Sequence, residues 1–516
     1  MKRMSDPNRC CGCPHGIGRR RFLQGCGAAA LGSVSPTLLG SAADEKVRLA
    51  LVFLANSKTT PEMWPYPNYD CELRIREVSN VLREGCHQFE FISVVVTSPA
   101  DYQKAIALKD SVDGCLIYVV TLNWEMRLGP LVEQLGKPTI VADEFLGGCG
   151  SFLTGVSALR KKSLPFAAVS TTRLDDLVTA ARVFAEVKKP GSTPALFARN
   201  CEAAYRRTFS GMSNRRCQED KVSLSGISEC LRRLKEASFL VVGSGKPGTE
   251  QVFLNGTKAI YVGFDEFKTH YDAVDKEQAA EWAERWIHEA EQVLDATAPW
   301  IQKAGGVYVA MRSLMKKHGT ENITMNCLGG FSAGQIEAYP CLGFRQLLND
   351  GQQGVCEAMP SDSICMLMGR FLTGRPGYVS DPALDTSKNQ ICYSHCMAHT
   401  KVFGPQGPSN PFRIRTLHNR DPRGCCAQSF MPEDYLTTTF QVYLGAKTMV
   451  IHQARTTANL DVDRGCRTQL AGEVRGDIER LFYHWDSWHR VTLYGDVKEP
   501  LSELGKALGL KVVEEA

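Results

Sequence analysis

Outside its first 43 residues the chain carries almost no net charge. Residues 1–43 hold six Lys/Arg against one Asp, a net of +5 in a chain of +4, which leaves about −1 for the remainder. A nucleic-acid binder needs a basic face, and none is available. No repeat of solenoid period runs through the sequence. Cysteine pairs at CxxC spacing are missing from the body, which removes the usual signature of a structural zinc site. Several of the 20 cysteines sit in apolar strand-like runs instead, such as Cys115 in DGCLIYVV and Cys327 in ITMNCLGG, and read as small core residues. The loop GSGKPG (243–248) has the glycines of a phosphate cradle but lacks Walker spacing and a Ser/Thr after its Lys. It is read as a turn.

What is present is the composition of a soluble globular protein, 43% hydrophobic and 22% charged. At 516 residues it is too long for one core, and three domains are expected. Arg19-Arg20-Arg21-Phe22-Leu23 resembles the twin-arginine export motif, and the weakly apolar GCGAAALGSVSPTLLGSAA follows it, ending in small residues before Asp44. Its Gly and Ser content argues against a stable membrane span. Residues 1–43 are therefore expected to be a signal peptide, with export to the periplasm or cell envelope, or a cytoplasmic location if the signal is unused. Cys10, Cys11, Cys13 and His15 resemble a metal cluster but lie in the segment that would be removed, and Cys26 sits too close to the arginines for a lipoprotein signal.

From residue 44 strands and helices alternate. VRLALVFLAN (47–56) reads as a buried parallel strand, followed by a helix at 71–85, strand 89–96, helix 99–109, strand 112–120, helix 125–136 and strand 138–144. That order predicts a doubly wound α/β domain over 44–162. Binding groups in such sheets sit at the carboxyl ends of strands, which draws attention to Asn56, Ser57, Asp143 and Glu144. A second α/β domain is expected over 163–372, opening with strand FAAVS (166–170) and containing strands 239–244, 258–264 and 322–328. Its strongest amphipathic pattern predicts one helix over 276–298, with Ala279, Trp282, Ala283, Trp286, Ile287, Ala290, Val293 and Leu294 on one stripe, and a further helix over 307–319. Beyond 373 extended runs alternate with Gly/Pro/Asn loops, which predicts a β-rich, barrel-like domain over 373–516.

The stretch GVCEAMPSDSICMLMGRFLTGRPGYVSD (354–381) joins the last two domains and carries the chemistry. Glu357 opens it among apolar neighbours. A helix follows with Ile364, Met366, Leu367, Met368, Phe371 and Leu372 at helical spacing, stopped by Thr373-Gly374-Arg375-Pro376. Asp381 closes it after a short extended piece. Carboxylates at the two ends of one buried element can face one cleft, where they suit a divalent cation and also proton abstraction by one acid and return by the other. Near the C-terminus WDSWHRVTLYGD sets His489 before a strand, and Glu, Asp and His make a mixed donor set that Mn, Fe, Co or Zn accepts. Trp485 and Trp488 flank His489 and offer either a stacking face for a sugar or plain core. His395 and His399 are rival ligands, and His452 reads as a core histidine.

Two of these segments resemble a known family. CEAMPSDSICMLMGRFLTGRPGYVSD resembles the region of L-fucose isomerases that bears two metal-binding carboxylates, where a Glu precedes a Met-rich helix ending in Leu-Thr-Gly and an Asp follows a short strand; the interval from Glu357 to Asp381 matches. WHRVTLYGD resembles the segment with that family's metal-binding His. The resemblance, to the L-fucose/L-arabinose isomerase superfamily, implies two Rossmann-like α/β domains and a β-rich, barrel-like C-terminal domain. It also implies a homo-oligomer that isomerises a monosaccharide between aldose and ketose through an enediol. It implies a divalent cation, Mn²⁺ first, held by Glu357, Asp381 and His489, with the two acids as the proton-moving pair; His395, read from its own place at the end of the strand-like NQICYSH, can enter the same cleft and contact the substrate. The sequence departs from the family in one respect at the site: a second acid often follows the Glu by two residues, where this chain has Met359, and Asp362 comes later. Two alternatives stay open, an exported sugar-binding protein that closes by hinge motion and an inactive isomerase homologue.

Overall fold

The computed structural model describes residues 46–57, 69–122, 128–417 and 424–516. The expected signal peptide, with Cys10, Cys11, Cys13, His15 and Cys26, lies outside them, as does the start of the helix expected at 125–136. Residues 46–516 form one compact unit. Among the described residues no helix is long and apolar enough to cross a membrane.

Five parallel strands make the first sheet: β1 (Arg48–Leu54), β2 (Glu90–Val96), β3 (Gly114–Val119), β4 (Thr139–Asp143) and β5 (Ala167–Val169), in the order β2-β1-β3-β4-β5. β3 and β4 are buried at every residue, as strands covered by helices on both faces must be. The helix Cys71–Gly85 starts where Asp70 accepts from the N–H groups of Glu72 and Leu73, and Pro99–Ala107 starts at a Ser98 cap with Pro at its first position. The strand expected to open the second domain, FAAVS, is β5 and pairs with β4 in the first sheet. A short apolar strand does not say which sheet edge it joins; that depends on the pairing of distant backbone.

The second sheet contains β6 (Ser238–Val242), β7 (Glu250–Val252) and β8 (Lys258–Val262). After the two-residue β9 (Gln292–Val293) it is completed by β10 (Asn322–Met325) and β11 (Gln353–Cys356), in the order β11-β10-β6-β8-β7 with only β7 antiparallel. The single helix expected over 276–298 ends at Glu289. Ala290 turns extended, and the N–H groups of Glu291 and Leu294 donate to the carbonyls of Phe412 and Ile414, so β9 is drawn onto a distant strand. Ile287, on the expected stripe, is exposed. The next helix, Ala298–Lys317, crosses Lys276–Glu289 so closely that a Cβ on Gly305 would stand 2.3 Å from the Ala279 carbonyl oxygen. The strand expected over 322–328 stops at Met325, because Asn326 caps a short helix, Cys327–Ser332.

The C-terminal part is a closed barrel. Its strands are β12 (Tyr378–Asp385) and β13 (Gln390–Ser394), then, beyond β14 (Phe412–Arg415) and β15 (Cys426–Ser429), β16 (Leu436–Tyr443), β17 (Thr448–Leu460), β18 (Gln469–Val474) and β19 (Arg490–Tyr494). The order β16-β19-β12-β13-β18-β17 closes on itself through an antiparallel β16–β17 pairing. β20 (Lys511–Glu514) adds a parallel edge to β17, and β14, β15 and β9 form a separate three-stranded sheet. Closure leaves the six barrel strands no free edge.

The helix Pro360–Thr373 lies between the second sheet and the barrel, which explains why it is buried nearly all round. Its residues Ile364, Met366, Leu367 and Met368 share one core with Val355 of β11 and with Val379, Phe440, Val491 and Leu493 of the barrel. Gly369 allows this approach: a Cβ there would be 2.8 Å from Leu493. Gly374 ends the helix in the left-handed conformation, φ 69°, as a C-cap glycine does.

Candidate active site

Three neighbouring barrel strands and one sheet strand deliver the site. β12 pairs with β13 in a register that sets Asp381 opposite Ser394, one residue before His395. β12 pairs with β19 in a register that sets Ser380 opposite Arg490, and one step further brings Asp381 level with His489. His395, Asp381 and His489 therefore emerge side by side at one end of the barrel. Glu357 arrives from the carboxyl end of β11, where parallel α/β sheets place their functional groups. The turn from β11 into the helix Pro360–Thr373 is tight enough to force both Glu357 (φ 68°) and Ala358 (φ 52°) into the left-handed region. Such strain in a non-glycine residue costs of order 1–3 kcal/mol and concentrates at functional sites.

Ligand-type atoms of Glu357, Asp381, His395 and His489 all lie within 4.8 Å of one another. Nε2 of His489 stands 3.4 Å from Glu357 Oε2 and 3.5 Å from Asp381 Oδ1. Nε2 of His395 stands 3.8 Å from Glu357 Oε1 and 3.9 Å from Asp381 Oδ2. These distances exceed the 2.7–2.9 Å of direct charge-assisted hydrogen bonds. Donors about 2.1 Å from a common centre stand roughly 3 to 3.5 Å apart, and the His489 separations fall within that range.

Asp362 sets the role of His489. Its Oδ2 lies 2.5 Å from His489 Nδ1, and its Oδ1 accepts from Gln441 Nε2 at 2.6 Å. Gln441 is held in turn, because its Oε1 accepts from the Cys365 thiol and the Val442 N–H. A carboxylate at Nδ1 makes that nitrogen the proton carrier and leaves the Nε2 lone pair for a cation, the usual support of a metal-bound histidine. Nε2 is buried and has no hydrogen-bond partner among the described residues. His395 is held the opposite way: its Nδ1 accepts from the Cys396 N–H at 2.9 Å. In neutral His395 the proton must therefore sit on Nε2, which makes it a donor to an oxygen rather than a ligand.

The electrostatics fit a cation. Desolvation in the cleft, with the Glu357 and Asp362 charges beside it, pushes the Asp381 carboxyl up to about 7 against the pull of His489. Burial alone would discharge His489, but Asp362, Asp381 and Glu357 outweigh it and raise its pKa well above the ordinary value. The cluster thus carries surplus negative charge that protons neutralise when no metal is bound. An orphaned buried nitrogen, two carboxylates open to the cleft and a fixed tautomer together suit a divalent cation with N/O preferences.

The remaining candidates fall elsewhere. Trp485 is 2% exposed, donates its indole N–H to the Leu481 carbonyl and lies under the Arg490 guanidinium at 3.7 Å. It is core and offers no stacking face, because an aromatic flanked by a helical turn and a strand is covered from both sides. Trp488 is half-buried against Gly150, where a Cβ would meet its ring at 2.1 Å. His399 is buried outside the cluster, and burial pushes its pKa down to about 3. His452 is a satisfied core histidine between Tyr393 and Glu515. Glu144 is held by Tyr118, Arg74 and Arg464, and the Asn56 N–H donates to Thr121. Asp143 is buried, and burial pushes its carboxyl up to about 8. In the sequence Asp362 stands out only as an acid displaced from the family position. The available signal was its place in the first turn of a helix that begins beside Glu357.

No family model matches the chain. Over 342 residues it is 23% identical to the sulfoquinovose isomerases of Priestia aryabhattai and Priestia megaterium, an alignment that covers 62% of this chain and 74% of each relative. A solved periplasmic solute-binding protein of an ABC transporter from Actinobacillus succinogenes, with bound D-allose, matches 56% of this chain and 84% of its own at 12% identity. Its TM-score of 0.18 is too low for it to bear on fold or function. In sequence, then, the chain is distantly similar to isomerases of a sugar.

Proposed function

We propose that this protein is a metal-dependent aldose–ketose isomerase of a monosaccharide, working through an enediol. The observation that carries the reading is the meeting of Glu357, Asp381 and a buried His489 Nε2 that makes no hydrogen bond among the described residues. The distant similarity to sulfoquinovose isomerases supports the reaction class. Glu357, Asp381 and His489 would hold the cation, Mn²⁺ first. Bound there, a divalent cation supplies Lewis acidity toward the substrate carbonyl and its developing enediolate charge.

The chain's own residues do the proton work. One carboxylate of the Glu357/Asp381 pair removes the proton from the carbon next to the carbonyl and returns it to the neighbouring carbon. The other moves the hydroxyl proton between the two oxygens. The Nε2–H of His395 faces both carboxylates and is placed to donate to a substrate oxygen as negative charge builds on it. Buried His395 and His489 wall the inner side of the cluster, while the partly exposed carboxylates meet the substrate. The reading extends to a homo-oligomer exported through the twin-arginine signal; Arg19→Lys with Arg20→Lys would then leave the protein inside the cell, and continued export would exclude that route.

The test uses metal-stripped protein reloaded with Mn²⁺ and incubated in D₂O with aldoses and ketoses, including sulfoquinovose, L-fucose and L-arabinose. NMR follows deuterium entering C1 or C2. Exchange that disappears in Glu357→Gln and Asp381→Asn supports the reading. Metal binding without exchange on any sugar would sink it.

A further inference from the structure

A second set of metal-type ligands lies behind the first. Cys341 opens the helix Cys341–Asn349, Cys356 ends β11, and Cys396 follows β13 by two residues. Their sulfur atoms all lie within 4.8 Å of one another, with Cys341–Cys396 at 3.3 Å and Cys356–Cys396 at 3.7 Å. Cys327, at the start of the helix Cys327–Ser332, adds a fourth sulfur 3.8 Å from Cys356. All four residues are buried. None forms a disulfide.

Other buried cysteines behave differently. The thiols of Cys86, Cys149, Cys201 and Cys426 each donate to a backbone carbonyl, as isolated core thiols do. The hydrogen-bonding partners of Cys327, Cys341 and Cys356 among the described residues are sulfur atoms. A helix start, a strand end and a loop from distant parts of the chain bring these thiols together within one core. With metal–sulfur bonds of about 2.3 Å, sulfurs around one cation stand about 3.8 to 4 Å apart; Cys356–Cys396 at 3.7 Å is close to that, and Cys341–Cys396 at 3.3 Å would open by about half an ångström on binding.

We propose that Cys341, Cys356 and Cys396 form a buried three-thiolate site for a soft d¹⁰ cation, zinc or copper(I). Soft sulfur ligands select these ions over the oxygen-preferring ones that suit the carboxylate cluster. Each thiol releases its proton to solvent as its metal–sulfur bond forms, and no electron is transferred. Because the site is closed, it loads while the chain folds. Its position gives it a structural role. Cys356 precedes Glu357 and Cys396 follows His395, so the bound ion ties the strained turn bearing the acid to the loop bearing the histidine.

The experiment uses the full chain with Glu357→Gln and Asp381→Asn, so that the carboxylate cluster no longer competes for metal. It is expressed in zinc- or copper-supplemented medium, purified under reducing conditions and dialysed against EDTA. Elemental analysis reads the retained metal, and X-ray absorption reads its ligands. One equivalent of zinc or copper in a sulfur-only shell is expected, lost on adding Cys341→Ser or Cys396→Ser. If the serine variants fail to fold, the sulfur shell of the parent decides. Absence of retained metal, a shell of oxygen and nitrogen, or unchanged metal content in folded serine variants would overturn the proposal. No turnover is read, so the result stands apart from the isomerase reading.

Discussion

Replacing Asp362 with Asn changes one oxygen for one nitrogen in a fully buried place, and its consequence can be worked through the contacts. Gln441 cannot rotate to suit the new amide, since its Oε1 is engaged by the Cys365 thiol and the Val442 N–H. Its Nε2 therefore keeps demanding an acceptor at the 2.6 Å position of Oδ1. The Asn amide must turn its oxygen toward Gln441 and its NH₂ toward His489 Nδ1. His489 then accepts at Nδ1 and carries its proton on Nε2, the nitrogen that faces Glu357 and Asp381. The lone pair meant for the cation is gone. Loss of such a supporting partner typically weakens metal affinity 10- to 100-fold, or about 1.4 to 2.8 kcal/mol. Competition with a fluorescent chelator measures Mn²⁺ affinity directly, and thermal melting of the metal-free variant checks that it is folded. A folded Asp362→Asn protein with wild-type Mn²⁺ affinity would refute the tautomer argument.

His395→Asn removes the Nε2–H donor and should lower kcat/KM by about 10²-fold or more while Mn²⁺ affinity holds; a collapse in affinity would make His395 a ligand. The raised Asp381 carboxyl binds a proton in the folded, metal-free protein between its ordinary 3.8 and about 7, so that protein should lose stability as pH rises through this window. His489, also raised, acts with the same sign. Calorimetry should show the melting temperature of metal-free protein falling across the window and Mn²⁺ restoring it; a rise without metal would contradict the charge assignment. Trp485→Ala should cost about 3 to 5 kcal/mol of stability and leave KM for the sugar unchanged; a raised KM in the folded variant would return Trp485 to the substrate site.

Much of the candidate site is legible in the sequence because its acids bracket one helix. Glu357 and Asp381 sit at either end of an apolar stripe that local periodicity exposes, and His489 leads a strand with strong β character. His395 was marked from its place at a strand end. What sequence could not supply was pairing between distant segments. The fate of β5, the break of the long helix at Glu289 and the burial of Trp485 all depend on partners far along the chain. Asp362 was passed over because its partner His489 is reached only through the packing of the helix against the barrel. Apolar strand-like surroundings mark several cysteines, Cys115 and Cys327 among them, as small core residues, which fits Cys115 but leaves the convergence of Cys341, Cys356 and Cys396 unmarked. Their meeting needs a helix start, a strand end and a loop in one place, and no local pattern records that.

Anomalous diffraction from crystals grown with Mn²⁺ tests the central claim most directly. The account predicts a manganese peak coordinated by Glu357, Asp381 and Nε2 of His489, with His395 Nε2 outside the coordination shell and turned to a substrate oxygen when sugar is present. A fully loaded crystal with manganese elsewhere, or with His489 outside the shell, would contradict it.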